Sequence, residues 1–434
     1  MIKAFAAAFR TPDLRNKLLF TMFIMVLYRL GSFIPSPFVS LSNVRQCVAT
    51  QGGSNDLVSM MNLFSGGAML QLSIFALGIM PYITASIIVQ LLRVVIPRFQ
   101  ELHKEGQTGQ AKLTEYTRYL TIGLALLQSS VVVSTANYTI FGGCQLDVIP
   151  DATWWTYTLT ILAMTAGTGL IMWMAELITE RGVGNGMSIL IFTGICAGFP
   201  GLMGGILQTH GWGTVILVTA VFLLITLVVT FVEQSQRRIP VQYAKRVIGR
   251  RTYGGSTTYL PIKVNMANVI PVIFASSILM LPTMIATFGN PESGWVQWIQ
   301  RNFSQSGWAY ILTYALLTFF FTFFYTSIAF DTEEVADNMK RYGGFIPGVR
   351  AGRPTAEYLH FVSNRLTWVG ASYLTIVALI PILLFSALGI QRSGFGGTSI
   401  MILVGVGLQT VKDINAQLQQ RHYEGFLSGN NARK

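Results

Sequence analysis

Glu176 and Glu180 stand four residues apart, a spacing that puts two carboxylates on one helix face, where they could serve acid–base chemistry or hold a metal. Arg181 follows them directly, so a solvated helix end carrying its own counter-ion explains the group better. The next run, Gly182-Val183-Gly184-Asn185-Gly186, has the glycine density of a phosphate loop but lacks the Lys-Ser/Thr pair that would touch phosphate. It reads as a tight turn between two apolar segments. His103, His210, His360 and His422 are expected in separate loops, with no HxxxH spacing, and the three cysteines form no CxxC. Cys196 reads as a core thiol. Cys47 and Cys144 fall in two loops on the same side, where an oxidising environment would permit a bridge, though two unpaired thiols are the simpler expectation. No catalytic, metal-binding or cofactor set emerges, and an enzyme is not expected.

The chemistry that does stand out is positive charge. Arg237, Arg238, Lys245, Arg246, Arg250 and Arg251 lie within fifteen positions that contain no acid. Such a projection suits anionic lipid, an acidic protein face or nucleic acid. It interrupts a chain of 434 residues that is 52% hydrophobic and only 11% charged, well below the roughly 25% of an average soluble protein. Apolar windows long enough to cross a bilayer start near Leu18, Leu72, Leu120, Trp155, Met187, Val215, Val264, Ile311, Leu366 and Ser399, ten in all. With the N-terminus cytosolic, 26 Lys and Arg fall on that side; Arg45, Arg301 and Arg392 fall opposite, and Arg29, inside the first span, is expected to snorkel outward. Both termini are therefore expected in the cytosol. The first span runs too far, into Pro35-Ser36-Pro37 without a small-x-small site, to read as a cleaved signal peptide.

The spans carry almost no ionisable residue at their centres, where an ion-coupled transporter would need one. Thr84, Gln90, Gln128, Asn268 and Ser276 supply polarity there, and interhelical hydrogen bonding is the expected role of each. From Leu57 to Pro97 the chain is apolar apart from Arg93, and as one helix it would be roughly 60 Å long, twice the membrane core. The break is expected at Ser65-Gly66-Gly67-Ala68, leaving a short re-entrant piece and a full span from about Leu70 to Val95. Around the basic cluster, Val241 and Tyr243 on one side and Tyr259 and Ile262 on the other flank a Gly-rich tip, which predicts a hairpin.

Several long runs resemble the SecY family, the large pore-forming subunit of the bacterial Sec protein translocase. They are Ser73 to Ile88 with Gln90-Leu91-Leu92, Glu176 to Ser188, Tyr243 to Arg246 with Gly249-Arg250-Arg251, Lys263 to Ala267 before Ile270-Pro271, Ile346 to Arg350, and Phe395 to Ser399. The resemblance runs end to end in one order. It implies an all-α integral membrane protein of ten transmembrane helices in two inverted-topology halves of five, residues 1–205 and 206–434. Cytosolic loops at 233–263 and 331–365 and a plug at about 57–69, including Asn62, Ser65, Gly66 and Gly67, complete that picture. The pore ring would be Ile79, Ile83, Met187, Ile191, Ile273 and Ile402, with Met187 departing from the all-isoleucine ring of well-known bacterial members. Without the family those residues would be ordinary core.

The same resemblance implies a lateral gate between spans two and three and spans seven and eight, with Thr84 and Gln128 as polar gate residues. Arg250, Arg251 and Arg350 would dock a ribosome, through its RNA, or the SecA motor. SecE and SecG would lie alongside, and signal peptides and nascent chains would pass between the channel and the lipid bilayer. A secondary transporter is the alternative from inverted repeats, and a lipid-modifying enzyme the next. The first needs an intramembrane ionisable pair and the second convergent interfacial His, Asp or Arg, and neither pattern is found.

Overall fold

The computed structural model describes residues 9, 11–51, 65–136, 146–150, 153–243, 246–248, 251–253, 257–288, 293–303, 307–389 and 397–429. Helices dominate them. The first is α1 (Pro12–Gly31), with proline in its first turn, Asp13 near its start and Arg29 in its last turn, all matched to the helix dipole. A second, α2 (Leu41–Gln51), is short. Next come α3 (Met80–Val95) and α4 (Pro97–Lys104), bent by 98° relative to each other. The bend sits at Ile96, which is extended because the residue before a proline avoids the helical region. Then follow α5 (Gln107–Thr135), α6 (Trp154–Arg181) and α7 (Gly186–Gln234). Beyond the basic segment lie α8 (Ile270–Phe288), α9 (Gly294–Asn302), α10 (Trp308–Ala329), α11 (Thr332–Arg341), α12 (Arg353–Ala387) and α13 (Gly397–Gly429).

Four helices among the described residues are long and apolar enough to cross a membrane, or five if α3 and α4 count as one bent span. One of the four, α7, has 49 residues and would exceed 70 Å if straight. It is broken at Gly211, whose φ of 76° and ψ of −179° are not helical. The connection between the two halves is thus confined to one residue, and Pro200 itself stays inside the helix. Helices also extend past the apolar windows, so His103, His210, His360 and His422, expected in loops, lie in α4, α7, α12 and α13.

The turn between α6 and α7 is as expected a connector. Asn185 caps α7, its Oδ1 accepting from the Met187 amide at 3.0 Å. Gly186 donates its amide to Thr179 Oγ1 at 3.0 Å and lies so close to α6 that an added Cβ would stand 1.8 Å from the Ala175 carbonyl.

Residues 65–79 depart most from expectation. A helix from about Leu70 does not form; the chain runs through turns until Met80, with Leu72 at φ 45° and Gly66, Gly67 and Gly78 also at positive φ. This irregular run is among the most enclosed parts of the molecule: Ser65, Ala68, Met69, Leu72, Ser73, Ala76 and Ile79 are each 1% exposed or less. Non-helical backbone at membrane depth is tolerated only where protein surrounds it and satisfies its polar groups. Here Leu72 O accepts from Ser36 N at 3.0 Å and Ile74 N donates to Ile34 O at 3.0 Å, so the post-α1 strand acts as the missing helix neighbour.

Polar side chains within the helices mostly bond their own backbone. Thr84 donates to Met80 O, Gln90 to Ser86 Oγ and Ser276 to Ile273 O, in place of the interhelical bonds expected. Ser129 and Thr165, 3.2 Å apart, do join α5 to α6.

One large apolar core joins α1, residues 68–79 and α3 to α6, α7, α8, α10, α12 and α13, so both halves of the chain share it. A second core gathers Val44 and Cys47 of α2 with Met69, Leu72, Val148 and Ile149. Ser40 N donates to Val148 O at 3.0 Å and Asn43 Nδ2 to Asp147 O at 2.8 Å, stitching α2 to the segment that precedes α6. The expectation of unpaired thiols fails at Cys47, which is in a disulfide; Cys196 is free, and Cys144 lies outside the described residues. The reason is tertiary: α2 is held against the segment beginning at Leu146. Cys47→Ser should therefore lower stability by about 2–5 kcal/mol. Thermal unfolding checks it, and reductant should bring the wild-type protein down to the variant while leaving the variant unmoved.

The hairpin forms as predicted. Strand β1 (Gln236–Tyr243) pairs antiparallel with β4 (Thr257–Lys263), Val241 opposite Thr258, and β2 (Arg246–Ile248) pairs with β3 (Arg251–Tyr253) toward the tip.

Candidate pore and docking face

All six residues expected in the ring belong to the large core. Ile79, Ile83, Ile191 and Ile402 are each 5% exposed or less, while Met187 and Ile273 are half-buried against them. Ile79 is the N-cap of α3, and Ile83 N donates to its carbonyl at 3.1 Å, so the pair share the first turn after the irregular run. Asn185, the cap of α7, sets Met187 and Ile191 on one face by the same i,i+4 geometry. Aliphatic side chains from α3, α7, α8 and α13 thus belong to one apolar core. Such a surface offers a passing chain no fixed hydrogen bond.

Of the expected plug region, residues 57–64, including Asn62, fall outside the described residues. The described end, Ser65 to Met69, is anchored. Ser65 Oγ accepts from Met69 N at 3.1 Å, and Arg29 Nη1 donates to Gly66 O. The Arg29 guanidinium also sits 4.7 Å above the Phe33 ring. Arg29 therefore turns inward and binds backbone, contrary to the outward snorkel expected; the reason is that the irregular run leaves a carbonyl free that no helix partner uses. Gly66, at φ 67°, approaches α7 so closely that a Cβ would lie 3.1 Å from Gly194 Cα. Neither the Arg29 role nor Gly194 was read from the sequence, although a lone charge inside a span is by default functional.

Of the two expected gate residues, Thr84 is half-buried on α3 and bonds only its own helix, and Gln128 is half-buried on α5. The polar groups that do cluster lie nearer the helix ends. A cleft of about 280 Å³ separates α3 and α5 from α8 and α10, with Tyr82, Arg93, Thr114 and Tyr325 in its lining. Beside it Arg118 clasps Glu176 through two 2.8 Å bonds, joining α5 to α6, which explains Glu176 without any catalytic role. Among the described residues no group of His, Cys, Asp and Glu could hold a metal.

The basic segment is part of a larger platform. Strand β5 (Gly344–Phe345) adds to the hairpin, giving the order β4-β1-β5, with Gln242 opposite Phe345. Ile239, Ile262, Ile346 and Leu359 form its small core. Two loops a hundred residues apart are thereby one body, and the exposed Arg350 follows β5 on the same body. Arg251 lies in β3, whereas Arg250 is outside the described residues. At the root, Asn265 Nδ2 donates to the buried Glu233 at 2.6 Å and to Asn268 O at 3.1 Å, tying the end of α7 to the start of α8.

An apolar core shared by both halves of a helical bundle, irregular backbone packed into it and several helices long and apolar enough to cross a membrane define a multi-pass membrane protein. The family model described as SecY matches residues 73–411, and the chain belongs to the SecY family. Protein translocase subunit SecY of Streptomyces galbus is 57% identical over 439 residues, covering 98% of this chain and all of that protein. The fold is similar to a SecY structure in which the plug domain stabilises the closed state of the translocation channel and maintains a membrane seal. That likeness has a TM-score of 0.59 at 18% identity over 92% of this chain and 91% of that one. It is also similar to Sec61 in the canine ribosome–channel complex from the endoplasmic reticulum, with a TM-score of 0.54 at 15% identity over 92% and 91%.

Proposed function

We propose that this protein is the pore-forming subunit of a protein translocase, passing unfolded secretory polypeptides through its aliphatic waist and releasing hydrophobic segments sideways into lipid. The observation that supports this reading is that all six expected ring residues lie in or against the one apolar core that both halves of the chain share. Branched and thioether side chains, Met187 among them, can close around any extended chain while presenting no polar group for it to bind. The ten-helix, two-half arrangement divided near residues 205 and 206 fits the break at Gly211. The 26 basic residues on one side favour an inner-membrane protein with both termini cytosolic.

The plug is the segment ending at Met69, and the gate is the seam between α3 with α5 and α8 with α10, where the cleft lies. Its partners are SecE and SecG alongside, and a ribosome or SecA on the platform, with Arg250, Arg251 and Arg350 as docking contacts. No nucleotide motif is present in the sequence, so the driving energy comes from such a partner. A stalled secretory chain trapped in the reconstituted complex should crosslink to photoreactive probes at Ile83 and Ile191, and to none on the lipid-facing Leu224 of α7. Absence of any crosslink at the two isoleucines, with the chain shown to be engaged, would sink the proposal.

A further inference from the structure

Tryptophan is placed unevenly in this chain. Of the eight, Trp154 and Trp155 open α6, Trp212 follows the break in α7, Trp295 and Trp298 lie on α9, and Trp308 opens α10, while Trp173 and Trp368 lie within α6 and α12. The first six are all exposed, and all mark the end of the bundle opposite the basic platform. The path of the chain fixes that end: α7 leaves the α6–α7 turn at Gly186, breaks at Gly211 and returns to Gln234, where β1 begins, and α8 starts just past β4 and leads away to α9. An indole joins a large apolar ring to one N–H that needs a partner, so it is most stable where hydrocarbon meets headgroups.

Helix α9 has three distinct faces. Val296 is buried, Trp295 and Trp298 are exposed one turn apart, and Gln297 and Arg301 are exposed on a separate side. At about 100° per residue these three faces stand roughly a third of a turn from one another. The helix packs against both α8 and α10, so protein covers one face only. A helix surrounded by water would leave two indoles wet, and one sunk in hydrocarbon would strand Gln297 and Arg301. Protein, lipid and water meet together only at the membrane surface. The lipid-facing surface of α10 leads to the same place. Trp308, Leu312, Leu316 and Phe320 follow one another at i,i+4 along this membrane-spanning helix, each more than half exposed, and Trp308 is the outermost.

We propose that α9 is a membrane-surface anchor, lying along the headgroup boundary of the leaflet opposite the platform, with Trp295 and Trp298 set among lipid and Gln297 and Arg301 in water. Its occupant is the lipid interface itself. Because α9 lies between α8 and α10 in the chain and packs on both, it ties the outer ends of that helix pair to the bilayer surface. The anchor depends on the membrane location alone and not on what crosses the bundle.

The test places the full chain in phosphatidylcholine nanodiscs and takes the tryptophan emission lost in a Trp295→Phe, Trp298→Phe double variant as the signal of this face. Lipid brominated near the glycerol end of its acyl chains should quench that difference emission about twofold or more beyond lipid brominated near the methyl end, since an interfacial helix sits about 5–10 Å into the headgroup boundary. Aqueous iodide should quench it weakly. Strong iodide quenching without bromolipid quenching would mean a wet face, and no quenching by either a face covered by protein; both overturn the anchor. Deepest-label quenching as strong as the shallow would overturn it too, by placing α9 inside the hydrocarbon. A measurement on the unaltered chain serves if the variant fails to fold: phosphatidylcholine with a diazirine near the glycerol end should label residues 294–302 several-fold more than one with the diazirine at the methyl end. Equal labelling by the two, or none by either, would again remove the anchor.

Discussion

Replacing Arg29 by glutamine should raise the resting ion leak of the reconstituted channel about tenfold or more. The guanidinium donates to Gly66 O at the end of the plug segment and lies over Phe33, so it is held from both sides. A charge-assisted hydrogen bond of this kind contributes about 1.5–3 kcal/mol, and each 1.4 kcal/mol is roughly tenfold in a population. Glutamine keeps a donor but loses the charge and the ring contact, so the displaced state of the segment gains. Arg29→Lys should fall between the two. Gly66→Ala should act in the same direction, since the residue sits at φ 67° and a Cβ would press on Gly194 at 3.1 Å. Single-channel conductance in planar bilayers reads the effect. An Arg29→Gln protein that unfolds at the wild-type temperature and leaks no more than wild type would remove Arg29 as a latch.

A large loss of stability from a single methyl group is expected at Gly186. Its Cβ would meet the Ala175 carbonyl at 1.8 Å and Ile178 Cβ at 2.9 Å, so α6 and α7 must separate at their tightest approach. Overpacking against backbone costs about 3 kcal/mol, and the Asn185 cap and the Gly186 to Thr179 bond are disturbed with it. Gly204→Ala, on an exposed stretch of the same helix with nothing within 4 Å, is the matched control. There alanine should be neutral or stabilising by up to about 1 kcal/mol. Detergent-solubilised thermal unfolding compares the two directly; equal melting temperatures would show that the helix crossing adapts.

Both effects act on the pore. The plug segment and the first turn of α3, which carries Ile79 and Ile83, are one continuous packed run, and Met187 with Ile191 begins where Gly186 sets α7 against α6. Loosening either contact moves part of the proposed pore ring.

Much of this was legible in the residues. The apolar windows near Trp155, Met187, Val215, Ile311 and Leu366 fall in the four helices long and apolar enough to cross a membrane, because lipid forces every backbone group into local hydrogen bonds. Val241, Tyr243, Tyr259 and Ile262 announced the hairpin because alternation around a glycine-rich tip has few other solutions. The ring positions came from resemblance to long motifs; spacing alone would have left them as core.

What the linear pattern could not show has a common cause. Residues 70–79 are apolar enough to read as helix, and the segment Ile34 to Ser36, some forty residues earlier, supplies hydrogen bonds that help them stay irregular. Arg29 looked like a charge needing water because its partner is a backbone carbonyl, which every residue has and no sequence marks. The Cys47 disulfide follows from α2 being fastened to residues 147 and 148, and β5 joins the hairpin through two residues, too few to give a period.

The sequence by itself determined that this is a multi-pass membrane protein, where its charge lies and which family it belongs to, because composition and period are local properties that the bilayer reads directly. The tertiary structure alone decided what holds residues 65–69, that two distant loops make one platform, and that Arg93 lines a cleft. Those depend on pairs of residues far apart in the chain, and backbone atoms and cavities leave no signature in one dimension.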